Sequence, residues 1–575
     1  MHLRALPLIT LIALAAPPPM ASAAPGDLDP AFGIGGLVRD PMPDNGAQAK
    51  GVAIDASGRI VVAGTTSVNV IDGNFGVLRL DSNGSPDASF GNGGRVSYGY
   101  VAGSGEEAYG VAVQADGRIV VGGTSFTIPT LNDFAALRLE ADGSIDTSFG
   151  NHGDGWMTTG RADNDIGIAL AASPSGIFLG GYVADGGGGI DAAGFLLDTL
   201  GMPAPLFGDN GLVTAGADSN SAHAAAMQPD GKLLLGGHLD NGGGIIMRFG
   251  ADGSPDASFA GDGRAELGDD TRIEDLGVLA DGRIVAAGHR LSDAIVMRLL
   301  ADGSLDASFG VGGVATLSAT SVGAVQLFGR ALAVQSDGAI VVAGNAISLT
   351  NGSLLLAFRV TPNGALDAGF GTAGARLVDA PNDLFGEAIA LQADGAIVIA
   401  GSDRGADDQF LVARLLGGSG AGGLPVVSVA DASLAEGDAG TALMSFTLSL
   451  GAPSDGSVSV DVATDLGSAT PNVDYTPTTA TLTFPNGATS LVFQVPVIGD
   501  TVPEPDETFL VRLSSPVNAT LGDAEAIGTI FNDDDVIPPP AETAPVPGPG
   551  LPALGVLAGL LAIGAWLARR RNGSA

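Results

Sequence analysis

The chain has no cysteine, so its 575 residues must hold together without disulfides. It has two lysines, Lys50 and Lys232, and 25 basic against 63 acidic residues give a net charge of -38. Such a surface repels a phosphate backbone, which excludes nucleic acid as a partner. The histidines His152, His223, His238 and His289 are scattered without metal-ligand spacing, and no serine nucleophile elbow stands near them, so each reads as a loop or edge residue. A helical period is also missing. What is abundant is glycine, 90 residues, but with no Gly-X-Y period and an apolar fraction of 45 %, which excludes collagen and simple disorder. The length implies three or four domain equivalents.

The two ends suggest export. His2 and Arg4 precede an apolar run, Ala5 to Ala16, and Ala21-Ser22-Ala23 supplies small residues for cleavage after Ala23, so residues 1–23 read as a signal peptide. Near the other end, Leu551 to Ala568 is an 18-residue apolar stretch, long enough for one transmembrane helix, followed by Arg569-Arg570-Arg571 in a basic cytoplasmic tail, 569–575. The expected orientation holds the rest outside the inner membrane, facing the periplasm or exterior. This tail resembles PEP-CTERM sorting signals, with Val546-Pro547-Gly548-Pro549 where that family usually has Val-Pro-Glu-Pro. The resemblance implies a sorting protease as partner and transfer to the cell surface.

Between the ends, an Asp-x-x-Phe-Gly-type element recurs at Phe32, Phe90, Phe149, Phe207, Phe259, Phe309 and Phe370, at intervals of 58, 59, 58, 52, 50 and 61 residues. Within a unit, Glu107 to Val113 and Arg118 to Gly123 are β-prone runs joined by Asp116-Gly117. Asp133 to Leu139 makes a third strand, Asp142-Gly143 a turn, and a segment around Gly93 to Val96 a fourth strand at the start of the unit. Four strands in each of seven units predict an all-β chain whose residues 24–416 form a seven-bladed β-propeller. A parallel β-solenoid is the alternative, although the repeat is long for one coil.

An arginine lies eleven residues before five of the phenylalanines, as Arg79, Arg138, Arg248, Arg298 and Arg359, and an aspartate three before, as Asp87, Asp146, Asp256, Asp306 and Asp367. Before Phe207 both are missing together, with Leu196 and Ala204 in their places. Joint loss predicts a bidentate Arg-carboxylate pair across the turn, and the same pattern predicts that Asp29 pairs with Arg414 and closes the ring. Independent turn capping by aspartate is the alternative. Runs such as Leu299-Leu300-Ala301-Asp302-Gly303-Ser304-Leu305-Asp306-Ala307-Ser308-Phe309-Gly310 resemble the delta-60 repeats of bacterial secreted proteins. That family implies a propeller-like extracellular module without an established reaction.

A Gly/Ser linker at 417–423 precedes a second domain, 424–536, with alternating strands at Ala442 to Leu450, Ser457 to Ala463, Ala480 to Phe484 and Ser490 to Val497, as expected of a β-sandwich. Acids concentrate at Glu436 and Asp438, at Asp474, at Asp500 with Glu504, Asp506 and Glu507, and at Asp533-Asp534-Asp535. Carboxylates brought together repel and need a cation; hard oxygen ligands without histidine or cysteine favour calcium. The alternative is that the acids are merely solvated. Ala435-Glu436-Gly437, Val473-Asp474-Tyr475, Asp500 to Phe509 and Ile530 to Asp535 resemble Calx-beta, the calcium-binding sandwich of sodium-calcium exchangers and many bacterial surface proteins. Carried over by position, Glu436, Asp474, Asp500, Glu504, Glu507, Asp533, Asp534 and Asp535 would ligate Ca2+ at one end of the sandwich. Gly499 stands where metal-binding members often carry another aspartate.

Other motifs are weak. Gly418-x-Gly420-x-x-Gly423 is followed by Pro425 and reads as linker, and Gly186 to Asp191 is a single nonapeptide-like copy. Trp156 and Tyr182 could mark a carbohydrate face or local decay of the repeat. The expectation is a non-enzymatic surface protein, a propeller and calcium-stiffened sandwich held by the C-terminal helix over a Pro-rich spacer, 537–550. Adhesion to a surface polysaccharide or protein would be its role. The competing class is an extracellular hydrolase or lyase working in the propeller funnel, marked by non-repeat acids converging on one face.

Overall fold

The computed structural model describes residues 24–43, 46–69, 72–101, 104–127, 131–159, 164–184, 189–216, 220–239, 242–405, 407–418, 426–450, 458–484, 489–517 and 519–534. The expected signal peptide, spacer and transmembrane helix lie outside them. Among the described residues no helix is long and apolar enough to cross a membrane.

The second and third strands of each unit are short apolar runs that are buried over most of their length, as in Ile119–Thr127 and Leu131–Leu139. Both faces of such strands must meet other sheets. Among the described residues, seven four-stranded antiparallel sheets do this, arranged as blades. The first consists of Ala47–Ile54, Ile60–Asn69, Asp72–Leu80 and Arg95–Tyr98, from innermost to outermost. Apolar clusters lie between neighbouring blades, for instance Val61, Val77 and Phe90 against Ile119, Val121 and Leu137. The last blade packs back on the first, with Val398 and Phe410 against Ile60 and Val62, so the ring is closed and the solenoid alternative is excluded.

One strand assignment differs from expectation. The segment near Gly93 to Val96 does not open its own unit: Arg95–Tyr98 pairs with Asp72–Leu80, Phe75 opposite Tyr98, and completes the preceding blade. The Asp-x-x-Phe turn folds the chain back onto the strand it has just left, and antiparallel pairing with that neighbour follows. Blade and sequence repeat are therefore offset by one strand. Leu37–Asp40, the first strand among the described residues, completes the seventh blade, Leu37 opposite Ala413.

The repeated Arg and Asp side chains meet as expected, at 2.8 Å for Arg79–Asp87, 2.7 Å for Arg138–Asp146 and 2.5 Å for the ring-closing Arg414–Asp29. The pairing is not bidentate. Arg298 Nε donates to Oδ2 of Asp306, while Oδ1 accepts the backbone N–H and hydroxyl of Ser308. Each aspartate thus pairs with arginine and caps its turn, so both readings of the pattern hold. The arginine's remaining nitrogens reach onward: Arg298 Nη1 donates to the Pro362 carbonyl of the next blade at 2.5 Å, and its guanidinium lies 4.6 Å from the centre of the Phe309 ring. Gly143, at φ 90°, sits on the Phe90 ring of the previous blade, where a Cβ would come within 2.9 Å.

After the propeller, two sheets form a sandwich. One holds Val426–Val429, Gly440–Leu450, Ser490–Gly499 and Thr520–Leu521; the other holds Ala432–Ala435, Val458–Asp465, Thr479–Phe484, Glu507–Val517 and Glu525–Phe531. Their alternating inward residues, including Phe446, Val460, Phe484, Val495 and Phe509, make one core.

Candidate metal centre

The expected acidic residues lie in connections at the ends of sandwich strands. Glu436 follows Ala432–Ala435, Asp500 follows Ser490–Gly499, Glu504 leads into Glu507–Val517, and Asp533 and Asp534 follow Glu525–Phe531. Asp474 sits in the connection before Thr479–Phe484, and its neighbour Tyr475 is buried and stacked on Phe509 at 4.4 Å, which fixes the turn. Backbone bonds then tie these loops together, Ile498 N–H to the Asp474 carbonyl at 2.8 Å and Glu436 N–H to that of Phe531 at 3.2 Å.

The result is one carboxylate cluster. Oxygens of Asp474, Glu504 and Glu507 all lie within 4.8 Å of one another. Burial, and then the charges of Glu504, Asp500, Asp534 and Asp533, push the Glu436 carboxyl up. Burial, then the hydrogen bond and charge of Asp474, push Glu507 up to about 7, and burial followed by Asp474 and Asp500 raises Glu504. Seven of the eight expected residues are therefore placed in or around one cluster; Asp535 lies outside the described residues.

Among the described residues no basic side chain is paired with this cluster. Residues 424–536 contain 16 Asp and Glu but one basic side chain, Arg512. Arg512 is engaged away from the cluster, by Asp465 at 2.9 Å and Glu525 at 2.8 Å. Meanwhile Glu436 Oε1 and Glu507 Oε2 are buried without a hydrogen-bond partner, an arrangement that is costly unless an external cation supplies the missing contacts. The donor set, carboxylate oxygen throughout, fits a hard cation such as calcium.

Two residues with supporting roles were not among the expected ligands. Asn532 accepts the N–H groups of Glu504 and Asp534 at 3.3 and 3.4 Å, and Asp506 accepts that of Asn532 at 3.1 Å. An asparagine between an apolar strand and an aspartate run was the available signal. Gly499 also acquires a reason: a Cβ there would lie 2.0 Å from the Gly437 carbonyl oxygen and 2.5 Å from that of Glu436. The backbone carrying Glu436 occupies the space that an aspartate would need.

In the propeller, two expectations need correction. Trp156 is 2 % exposed and packs against Phe75 at 5.0 Å between two blades, so it is core and not a ligand face. His223, His238 and His289 lie on strands and are brought together rather than scattered: His223, on an edge strand, and His238, on the strand beside it in the same blade, have ring centres 5.2 Å apart, and the Nδ1 atoms of His223 and of His289 in the next blade lie 3.9 and 3.7 Å from Glu274. His152 is exposed in a loop, as expected.

The Calx-beta domain profile matches residues 426–535, and the profile of a domain of unknown function (DUF5122) beta-propeller matches 56–90, 114–149, 228–259, 279–309 and 335–370. Among solved structures, CBD12 from CALX1.2 is similar at 24 % identity over 19 % of this chain and 44 % of that one, TM-score 0.18. The apo form of Calx CBD1 matches at 24 % over 19 % and 99 %, TM-score 0.17. The chain thus spans less than half of the CBD12 structure and nearly all of the CBD1 structure. A PQQ-bound aldose sugar dehydrogenase from Streptomyces coelicolor aligns at 14 % identity over 68 % of this chain and 99 % of that one, TM-score 0.33. No curated protein sequence matches the chain. The chain carries a DUF5122 beta-propeller followed by a C-terminal Calx-beta domain.

Proposed function

We propose that the sandwich binds calcium through Glu436, Asp474, Asp500, Glu504, Glu507, Asp533, Asp534 and Asp535, and that calcium stiffens this end of a non-enzymatic, exported surface protein. The observation that carries this reading is the pair of buried, unpartnered oxygens on Glu436 and Glu507, inside a cluster with no basic side chain to neutralise it. Bound calcium would supply that charge, and the loops after four different strands would be locked to one ion-binding end. The short apolar stretch and three arginines near the C-terminus support membrane anchoring with the propeller outward, and adhesion to a surface polysaccharide or protein is the role that fits a stiffened stalk carrying a propeller.

Isothermal titration of calcium into the whole exported chain tests the reading. Saturable binding that Glu436→Gln weakens at least tenfold is expected. Absence of heat at millimolar calcium, within the range of weak extracellular sites, would reduce the sandwich to a spacer.

A further inference from the structure

In every blade the innermost strand skips one residue in its pairing with the second strand, at the same place in the register. The skipped residues are Lys50, Tyr109 and Ile168 in the first three blades and His223, Glu274, Arg330 and Glu387 in the others. All seven line one cavity of about 470 Å³ on the propeller axis. Such bulges re-aim a side chain, and here they direct one residue per blade to a common centre. Most residues flanking them are Gly or Ala, as in Ala49-Lys50-Gly51, Ala222-His223-Ala224 and Gly386-Glu387-Ala388. Against a repeating frame, this single position carries seven side chains of six different kinds, including Glu274 and Glu387, the converging non-repeat acids by which the hydrolase or lyase alternative was to be recognised; each is held here in an ion pair.

The ring has two unlike arcs. On one, Lys50 pairs with Glu387 at 3.0 Å and Arg330 with Glu274 at 3.2 Å, each pair spanning adjacent blades. Among the bulge residues of this arc two cations balance two anions, so these four side chains draw neither sign of ion. Paired carboxylates and cations instead offer acceptors beside donors, the combination that adjacent hydroxyls satisfy because each hydroxyl both donates and accepts. Burial holds the imidazoles of His223 and His289 below their ordinary range, with Glu274 opposing; His223 lines the cavity with its Nε2 3.0 Å from the Ser221 hydroxyl, and His289 lies outside the lining, beside Glu274. His289 Nδ1 and Arg330 Nε are buried with no hydrogen-bond partner. Asp275 below the ring is already committed to the N–H groups of Leu276 and Leu332. The opposite arc is Tyr109 and Ile168, with Leu170 beneath, an aromatic and aliphatic surface.

We infer that the mouth of the propeller channel binds a small neutral polyhydroxylated ring, a sugar or the end of a saccharide, with hydroxyls on the Glu274–Arg330 and Lys50–Glu387 pairs and a C–H face on Tyr109 and Ile168. The volume falls within the range of small-ligand sites. This names a site and chemistry for the surface ligand and rests on the non-enzymatic binding reading, but not on calcium.

The test is calorimetric titration and thermal melting of the whole exported chain with glucose, galactose, mannose and N-acetylglucosamine, with inorganic phosphate and glycine as controls, in calcium and in chelator. At least one of these sugars should bind with one-to-one stoichiometry at concentrations up to tens of millimolar. Tyr109→Ala should weaken it several-fold and Glu274→Gln roughly tenfold. Tyr109→Ala keeps every ion pair, so it remains informative if Glu274→Gln fails to fold. Binding that persists in chelator while the calcium response is absent would sustain this site and reject only the sandwich reading. No binding by any of the four sugars, binding of phosphate or glycine instead, or sugar binding unchanged by both substitutions would overturn it.

Discussion

The propeller and the sandwich treat the same functional group in opposite ways. In the propeller, each blade-linking aspartate is matched by the chain's own arginine, and at Asp306 the Ser308 hydroxyl, opposed by burial and helped by the Ser308 N–H and Arg298, holds the carboxyl down to about 2. In the sandwich, Glu436, Glu504 and Glu507 crowd together and are all pushed up. A buried carboxylate has to be neutralised somehow. Where the chain does so itself two blades are joined; where it does not, the proposed calcium would supply the compensating charge from solution.

Breaking the internal pairing should have the largest effect. Arg298→Ala removes the buried partner of Asp306, leaves it only Arg283 Nη1 at 3.4 Å and the Ser308 cap, and should cost the propeller about 3 kcal/mol in chemical denaturation. The double variant Arg298→Leu with Asp306→Ala copies the natural Leu196 and Ala204 linkage and should recover a good part of that loss. A double variant as unstable as the single would show that the aspartate acts only as a turn cap.

A smaller cost, about 1–3 kcal/mol, is expected for Gly499→Asp, from the clash with the Glu436–Gly437 backbone. Calcium affinity should not rise. Tighter binding in this variant would mean that the backbone yields and the position is a vacant ligand.

The two regions should also answer pH with opposite signs. Glu507 in the fold binds its proton more tightly than in the unfolded chain, so without calcium sandwich stability falls as pH rises from about 4.5 through about 7. Asp306 binds its proton less tightly when folded, so the propeller is stable above about 4 and loses stability as pH falls towards 2. Melting in chelator at pH 3, 5 and 8 distinguishes these trends; parallel behaviour of both transitions would contradict the comparison.

Much of this was legible in the sequence because it repeats. Seven copies of one phenylalanine turn fix the number of blades, and counting from Phe32 places Asp29 in the register that meets Arg414, although 385 residues separate them. The acid positions of the sandwich follow from motifs at strand ends. What pattern does not encode is which neighbour an edge strand chooses, so the pattern alone places Arg95–Tyr98 in the following blade, whereas it pairs with the preceding one. The bulge at Lys50 and its six counterparts leaves no local mark beyond small flanking residues. The meeting of His223, His289 and Glu274 depends on how two neighbouring blades pack, and the steric reason for Gly499 depends on a backbone from another strand.

Differential scanning calorimetry of the whole chain, with and without calcium, tests the comparison most directly. At about one hundred times the dissociation constant, calcium should stabilise the sandwich transition by about 2.7 kcal/mol and leave the propeller transition where it was. A sandwich transition unmoved by calcium, or a propeller transition that moves with it, would contradict the account.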